Sequence, residues 1–349
     1  ADSTQTPYLE IIKLAFIPAV LYFLSVILFV HFEAQKQGIW GLPKEELPRL
    51  GETVKIGIHF IIPVAILVTV LILNYSPMMA GFIAILAVYF TAMFRKQSRI
   101  SLHTLLKTLE QGAHNAVMVA VACAAAGIIV GMVNLTGTGL RFSSLVVSLS
   151  QGIPLLALLL VALTSLLLGM GLPVTASYIV LIILAGPGLM DLGIPLLTAH
   201  MIVFWYSQDA NVTPPVALES FAASGIAGSS PMKTAFTSWK LAKGLYIIPI
   251  IMAYHPLLLN GTFAEVFLTI VLSTFAIIAF VVCLERYFLT TLSWPETILQ
   301  GAAAIMLIWS GRTINYFGIG LFLLLVIMQI IRRKRKAGLI EKEPSLEPK

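Results

Sequence analysis

The 349-residue sequence is 58% hydrophobic and 11% charged, with a formal net charge of +6 and a mean hydropathy of +0.95. Soluble domains carry roughly a quarter charged residues, so a soluble globular fold is excluded and lipid is the expected solvent. Much of the positive balance sits in Arg332, Arg333, Lys334, Arg335 and Lys336, directly after the last apolar run. That placement reads as a cytoplasmic anchor of the positive-inside kind and not as a nucleic-acid surface.

A helix needs about 20 mostly apolar residues to span the hydrocarbon core. In chain order the runs that qualify are Ile11–Val30, Ile56–Leu73, Pro77–Phe94 and Ala113–Val133, then Leu241–Ala253 with its flanks, Val266–Leu284 and Ile314–Ile331. Ile298–Ser310 is short and pairs with the final span as a hairpin. His31–Lys55, with "KEELPRL", reads as a solvated or interfacial connection. Ser101–Glu110, "SLHTLLKTLE", has two readings: an amphipathic helix on the membrane surface or a plain extension of the following span. The tail Ala337–Lys349 is polar and reads as disordered. No strand alternation of the barrel type occurs.

Between residues 153 and 228 the pattern changes. Leu155–Leu168 stops at Gly169-Met170-Gly171-Leu172-Pro173, and a second short arm runs from Val174 to about Ala185. Arm, glycine-proline break and returning arm make a re-entrant hairpin. Leu196–Tyr206 and Val216–Ile226 are again half-length, separated by Ser207, Gln208, Asp209, Asn211 and Thr213 and then Pro214-Pro215. Together they form one crossing broken in the middle. With the basic C-terminus, Lys233, Lys240, Lys243, Arg95, Lys96 and Arg99 all cytoplasmic, hairpin plus broken helix supplies the one net crossing that parity requires.

In hydrocarbon an unsatisfied backbone group costs several kcal/mol, so unwound chain persists only inside protein or beside water. Prolines bring no N–H and so strand carbonyls of the upstream arm. A small cation satisfies such carbonyls, and half-helix N-termini, here at Val174 and Val216, suit anionic groups. Thr175, Ser177, Asn211 and Thr213 add oxygen ligands, while Asp209 is costly unless paired or wetted. Kinks of this kind also occur without ligands, and Ser207 and Gln208 can equally bond neighbouring helices. His59, His114 and His200 are scattered, Cys123 and Cys283 lie in apolar runs, and neither a catalytic motif nor zinc spacing is found. Transport, and not enzymology, is the expectation.

The stretches "GMGLPVTASYIV" and "SQDANVTPPVALESFAASGIAGSSPMKTAFTSWKLAKGLYIIPIIMAYHP" resemble the large membrane component of TRAP transporters. "PYLEIIKLAFIPAVLYF", "GLPKEELPRL" and "ACAAAGIIVGMVNLTGTGLRFSSL" are similar to its TAXI-type fused branch, so the likeness covers about residues 7 to 260. The resemblance implies an all-α polytopic membrane protein of the elevator type, with hairpin 153–190 and broken helix 195–227 as the second inverted repeat. Residues 1–112 would be scaffold and arm, 113–240 half of the transport domain, 241–331 C-terminal spans and 332–349 a cytoplasmic tail.

It further implies a Na⁺-coupled importer of small carboxylates in a bacterial or archaeal cytoplasmic membrane, fed by a periplasmic solute-binding protein. Na⁺ would take carbonyls near Gly169, Gly171, Ala210 and Val216 and the Thr213 hydroxyl; Thr175, Ser177, Asp209 and Asn211 would face the solute. The family carries two inverted repeats, whereas one hairpin–break pair is found here. The expectation is therefore a C-terminal portion or a split-permease piece, lacking the first repeat and the small membrane subunit and inactive alone. A passive pore and a non-transporting assembly subunit are the rival readings.

Overall fold

The computed structural model describes residues 2–39, 41–43, 45–93, 99–170 and 172–340. Its helices are α1 (Tyr8–Gln37), α2 (Leu50–Gly57), α3 (Ile61–Ile72), α4 (Pro77–Met93), α5 (Leu102–Thr136) and α6 (Thr138–Leu149). They continue as α7 (Pro154–Gly169), α8 (Val174–Asp191), α9 (Leu196–Tyr206), α10 (Asp209–Val212), α11 (Leu218–Ala227) and α12 (Pro231–Leu241). The last four are α13 (Gly244–Tyr254), α14 (Phe263–Glu285), α15 (Trp294–Ile308) and α16 (Arg312–Ile340). Among the described residues α1, α8, α14 and the Arg312–Lys334 part of α16 are each long and apolar enough to cross a membrane. The protein is an all-α polytopic membrane protein.

The chain divides into two compact units. The first comprises Ala1–Ala15 and Gly41–Ala125 and is organised by α3 and α4, packed against each other across a tight turn. Asn74 in that turn has φ 62°, a left-handed conformation that asparagine tolerates better than most residues. Met78, Phe82 and Phe90 of α4 point outward, as side chains facing lipid do. Ser101–Glu110 is no separate surface helix: it runs unbroken into the next apolar run as the 35-residue α5. Gly112 alone does not end it, because one glycine costs only about 1 kcal/mol in a helix interior.

The second unit comprises Phe16–Trp40 and Ala126–Lys349. Here α1 continues past the expected boundary at His31 to Gln37, since no breaker intervenes before Gly38, whose φ is 69°. Its Tyr22 and Ser25 lie against Gly244 at the start of α13, and Phe29 meets Phe280 edge-on. Lower on the same helix, Glu33 accepts from Lys240 Nζ at 2.6 Å, and Lys240 also donates to fully buried Glu285 at 2.8 Å. Lys36 Nζ donates to the Glu285 carbonyl at 3.2 Å. This cluster ties α1, α12 and α14 together by charge.

Small residues let α14, α15 and α16 approach closely, Ala276, Ala279, Ala303 and Ala304 packing with Leu272, Leu307 and Phe322. Asn315 Nδ2 donates to the carbonyls of Met306, Leu307 and Trp309, which closes the end of α15. The expected hairpin of these last helices is therefore present. Helix α16 carries the basic cluster onward and remains helical to Ile340, so the expected disorder does not begin at Ala337; residues 341–349 lie outside the described residues.

Further boundaries differ from expectation. The chain bends by 80° after Thr136 into α6, an element the sequence pattern did not separate. Helix α8 does not stop at Ala185 but passes through Gly186-Pro187-Gly188 to Asp191. Pro187 cannot donate to the carbonyl one turn back, yet Ser143 Oγ of α6 donates to the neighbouring Leu184 carbonyl at 2.8 Å and Gly188 seats against Ser143. Packing thus carries the helix across its kink. Helix α13 starts at Gly244, not Leu241, and its 11 residues extend about 17 Å. Leu241 instead closes α12, and Ala242-Lys243 form a turn.

A candidate ion and solute site where hairpin and broken helix meet

Helices α7 and α8 flank the Gly169–Pro173 break, and α9 and α11 flank the break at Asp209–Pro215. Helix α9 ends because Ser207 and Gln208 turn back on it: Ser207 Oγ donates to the Phe204 carbonyl at 2.7 Å and Gln208 Nε2 to the same oxygen at 3.4 Å. One further helical turn, α10, follows. Thr213 is then extended at φ −100°, ψ 130°, Pro214 and Pro215 come next, and Ala217 is buried in the left-handed region at φ 32°. Helix α11 starts immediately afterwards.

In a continuing α-helix the N–H of residue i bonds the carbonyl of residue i−4. Pro214 and Pro215 stand at the positions that would serve Ala210 and Asn211 and have no N–H to give. The Val212 carbonyl is recovered from the far side of the break by Ser220 Oγ at 3.3 Å. The carbonyls of Ala210 and Asn211 are therefore the ones denied a helical partner, and both residues are buried.

The hairpin tip closes on this turn. A Cβ at Gly169 would lie 2.8 Å from Ala210 Cβ and 3.1 Å from Ser177 Oγ, so α7, α8 and α10 meet there at a spacing that only glycine permits. Ser177 is fully buried and its hydroxyl has no hydrogen-bond partner, an exception that calls for a cause. The Gly169 carbonyl accepts from the Leu172 N–H at 3.1 Å. Gly171 lies outside the described residues. Val216 is half-buried in the turn after the prolines.

Asp209 is 1% exposed yet well supplied. Thr213 Oγ1 donates to its Oδ1 at 2.7 Å, and the Tyr246 hydroxyl of α13 donates to Oδ2. Trp239 Nε1 of α12 in turn donates to the Tyr246 hydroxyl at 3.4 Å. Lys243, in the turn before α13, holds its Nζ 3.2 Å from the centroid of the Trp239 ring and 5.4 Å from that of Tyr246. Burial pulls its ammonium down to about 8, against the opposing pull of Asp209.

The structure thus brings together Gly169, Ser177 and Ala210, and separately Asp209 with Thr213. Asn211 is buried in the same turn. Thr175 is exposed on the first turn of α8 and Glu219 on that of α11; neither joins the cluster through a hydrogen bond. His200 is held by Tyr178 at 2.7 Å and stands outside it. Sequence reasoning missed Trp239 and Tyr246, and read Lys243 only as a cytoplasmic anchor, whereas the structure sets it against this cluster. Their spacing in "WKLAKGLY" was the available signal, but it falls across two helices whose turn only the fold reveals.

The denied carbonyls, the Thr213 hydroxyl, the orphaned Ser177 hydroxyl and the Asp209 carboxylate are all oxygen donors, the set that suits a hard cation. Among the described residues no three His, Cys, Asp or Glu side chains come together as metal ligands. Residues 1–258 match the family model described as the tripartite ATP-independent periplasmic transporter, DctM component. No curated protein and no solved structure matches the chain.

Proposed function

We propose that this chain, which belongs to the DctM family of tripartite ATP-independent periplasmic transporter components, is a permease component of a Na⁺-coupled importer of small organic anions. The observation that carries the reading is the double break: two prolines leave the Ala210 and Asn211 carbonyls without helical partners beside the unpartnered Ser177 hydroxyl. Backbone left open in a membrane protein is tolerated where something polar fills the gap. A Na⁺ ion is such a filler, and Asp209, fixed by Thr213 and Tyr246, supplies the counter-charge.

In this reading the cation is taken up between the Ala210 and Asn211 carbonyls, the Thr213 and Ser177 hydroxyls and the carbonyls near Gly169, Gly171 and Val216. Thr175 and Asn211 are the polar groups available to the solute, and Asp209 acts from behind by holding Thr213. Inward movement of each cation contributes about 2.3 kcal/mol per 100 mV of membrane potential, enough to concentrate an anion when two move together. A periplasmic binding protein would deliver the solute and a small membrane subunit would complete the assembly. The hairpin and broken helix would move against the remaining spans in the manner of an elevator, in an inner membrane with the basic end of α16 cytoplasmic.

The test is uptake into liposomes that hold the chain with its partner subunits and binding protein, driven by a Na⁺ gradient or by an equal K⁺ gradient. Accumulation under Na⁺ alone, lost in Thr213→Ala, is the expected result. Uptake indifferent to the cation would remove the reading.

A further inference from the structure

Lys243 differs from the other cations around it. Lys36 and Lys240 both lie against Glu285, and Arg332 pairs with Glu296. Among the described residues Lys243 enters no salt bridge, although it is half-buried. Its ammonium rests instead on the faces of Trp239 and Tyr246. The same two residues lead to Asp209 through their polar ends, Trp239 to Tyr246 and Tyr246 to the carboxylate. Both Asp209 oxygens already accept hydroxyls, so Lys243 senses that charge through space without a hydrogen bond to it.

An ammonium carries three donors, and aromatic faces satisfy its charge without using them. A cation–π contact at a partly exposed site is weaker than a charge-assisted hydrogen bond to a carboxylate. The cradle therefore positions Lys243 while leaving it free to take an anion. Charge counting points the same way. Asp209 and Lys243 cancel one another; a monovalent cation at the denied carbonyls makes the locality positive by one charge, and a carboxylate restores neutrality.

We propose that Lys243, held by Trp239 and Tyr246, is the group that binds the carboxylate of the transported solute beside the break, an assignment that rests on the importer reading above. Cation and carboxylate then strengthen each other's binding, and by linkage the enhancement is the same in both directions.

The experiment uses the purified full chain in lipid nanodiscs, titrated with acetate, succinate, 2-oxoglutarate and, as an inorganic control, sulfate. Na⁺ and ionic strength are held constant. Trp239 emission is read as the difference from Trp239→Phe. A second readout is the shift in thermal midpoint when Na⁺ replaces K⁺ in chloride alone. The expected result is a saturable emission change with at least one carboxylate and none with sulfate, at least about tenfold weaker in Lys243→Gln and retained in Lys243→Arg. Na⁺ stabilisation should survive in Lys243→Gln.

Undiminished carboxylate binding by Lys243→Gln overturns the assignment. So does an equal response to sulfate, or a wild type that Na⁺ stabilises but that answers no carboxylate. If Na⁺ gives the wild type no stabilisation either, the importer reading fails along with it, and the two failures are thereby told apart.

Discussion

Hairpin and broken helix approach closely at Gly169, where a methyl group is missing, and Gly169→Ala supplies it. The new Cβ would stand 2.8 Å from Ala210 Cβ and 3.1 Å from Ser177 Oγ. Neither neighbour is a flexible chain end: Ala210 is fixed in α10, so relief requires the backbone of the turn to move. Overpacking of this kind costs about 2 kcal/mol, a fall of roughly 3 °C in thermal midpoint for a chain of this length. Ala210→Gly removes the opposing methyl group and costs about 1 kcal/mol through helix propensity. If the two positions are in contact, the double variant should lose about 1 kcal/mol, because the methyl group has merely changed sides, where independent sites would lose about 3. The assay is thermal unfolding of the four proteins in one detergent, with Na⁺-dependent uptake as the functional companion. Strict additivity, or a Gly169→Ala variant as stable as wild type, would refute the meeting of the two breaks.

Substitutions in this cluster and in the Lys240–Glu285 ion pair have equally definite outcomes. Ser177→Ala should weaken Na⁺ dependence of uptake if the hydroxyl is a cation ligand; removal of a merely orphaned hydroxyl would leave uptake unchanged and raise stability slightly, which makes Na⁺ titration decisive. Thr213→Ala should cost about 1–3 kcal/mol by leaving Asp209 Oδ1 without its donor, and Thr213→Ser should recover most of that in the same unfolding assay. Lys240→Met leaves the fully buried Glu285 carboxylate only Lys36, at 4.0 Å, and should destabilise by roughly 2 kcal/mol, below the cost of breaking a fully buried pair because Lys240 is partly exposed and Lys36 remains; Lys240→Met with Glu285→Gln should regain part of the loss.

The Lys243 ammonium faces Trp239 from α12, Tyr246 from α13 and the charge of Asp209 from α10. Its folded value of about 8 lies below the ordinary 10.5, so the positive charge is present at neutral pH and is lost as pH rises through about 8. Carboxylate binding should decline over that interval in wild type, and the decline should disappear in Lys243→Arg, whose guanidinium stays protonated. A pH profile identical in the two proteins would contradict this assignment of the titration.

Much was determined by the sequence alone. A chain with so few charges has no way to face water, and apolar runs of membrane length have one stable conformation in lipid, so the class and the spans of α1, α14 and α16 follow from composition. The breaks at Gly169–Pro173 and Asp209–Pro215 were equally legible, because Pro214 and Pro215 cannot donate wherever they stand. What the tertiary structure decided is everything that depends on a partner remote in sequence. The second arm was expected to end at about Ala185 but continues to Asp191, with Ser143 packed there and bonded to the Leu184 carbonyl 41 residues on. Asp209 looked like a solute ligand, yet its oxygens are given to Thr213 and to Tyr246, which lies 37 residues further on. Local pattern reports which groups a helix must leave unsatisfied, since that is set by the residue and its neighbours. Which side chain arrives to satisfy them is set by packing, and packing brings together residues whose separation along the chain carries no periodic signal.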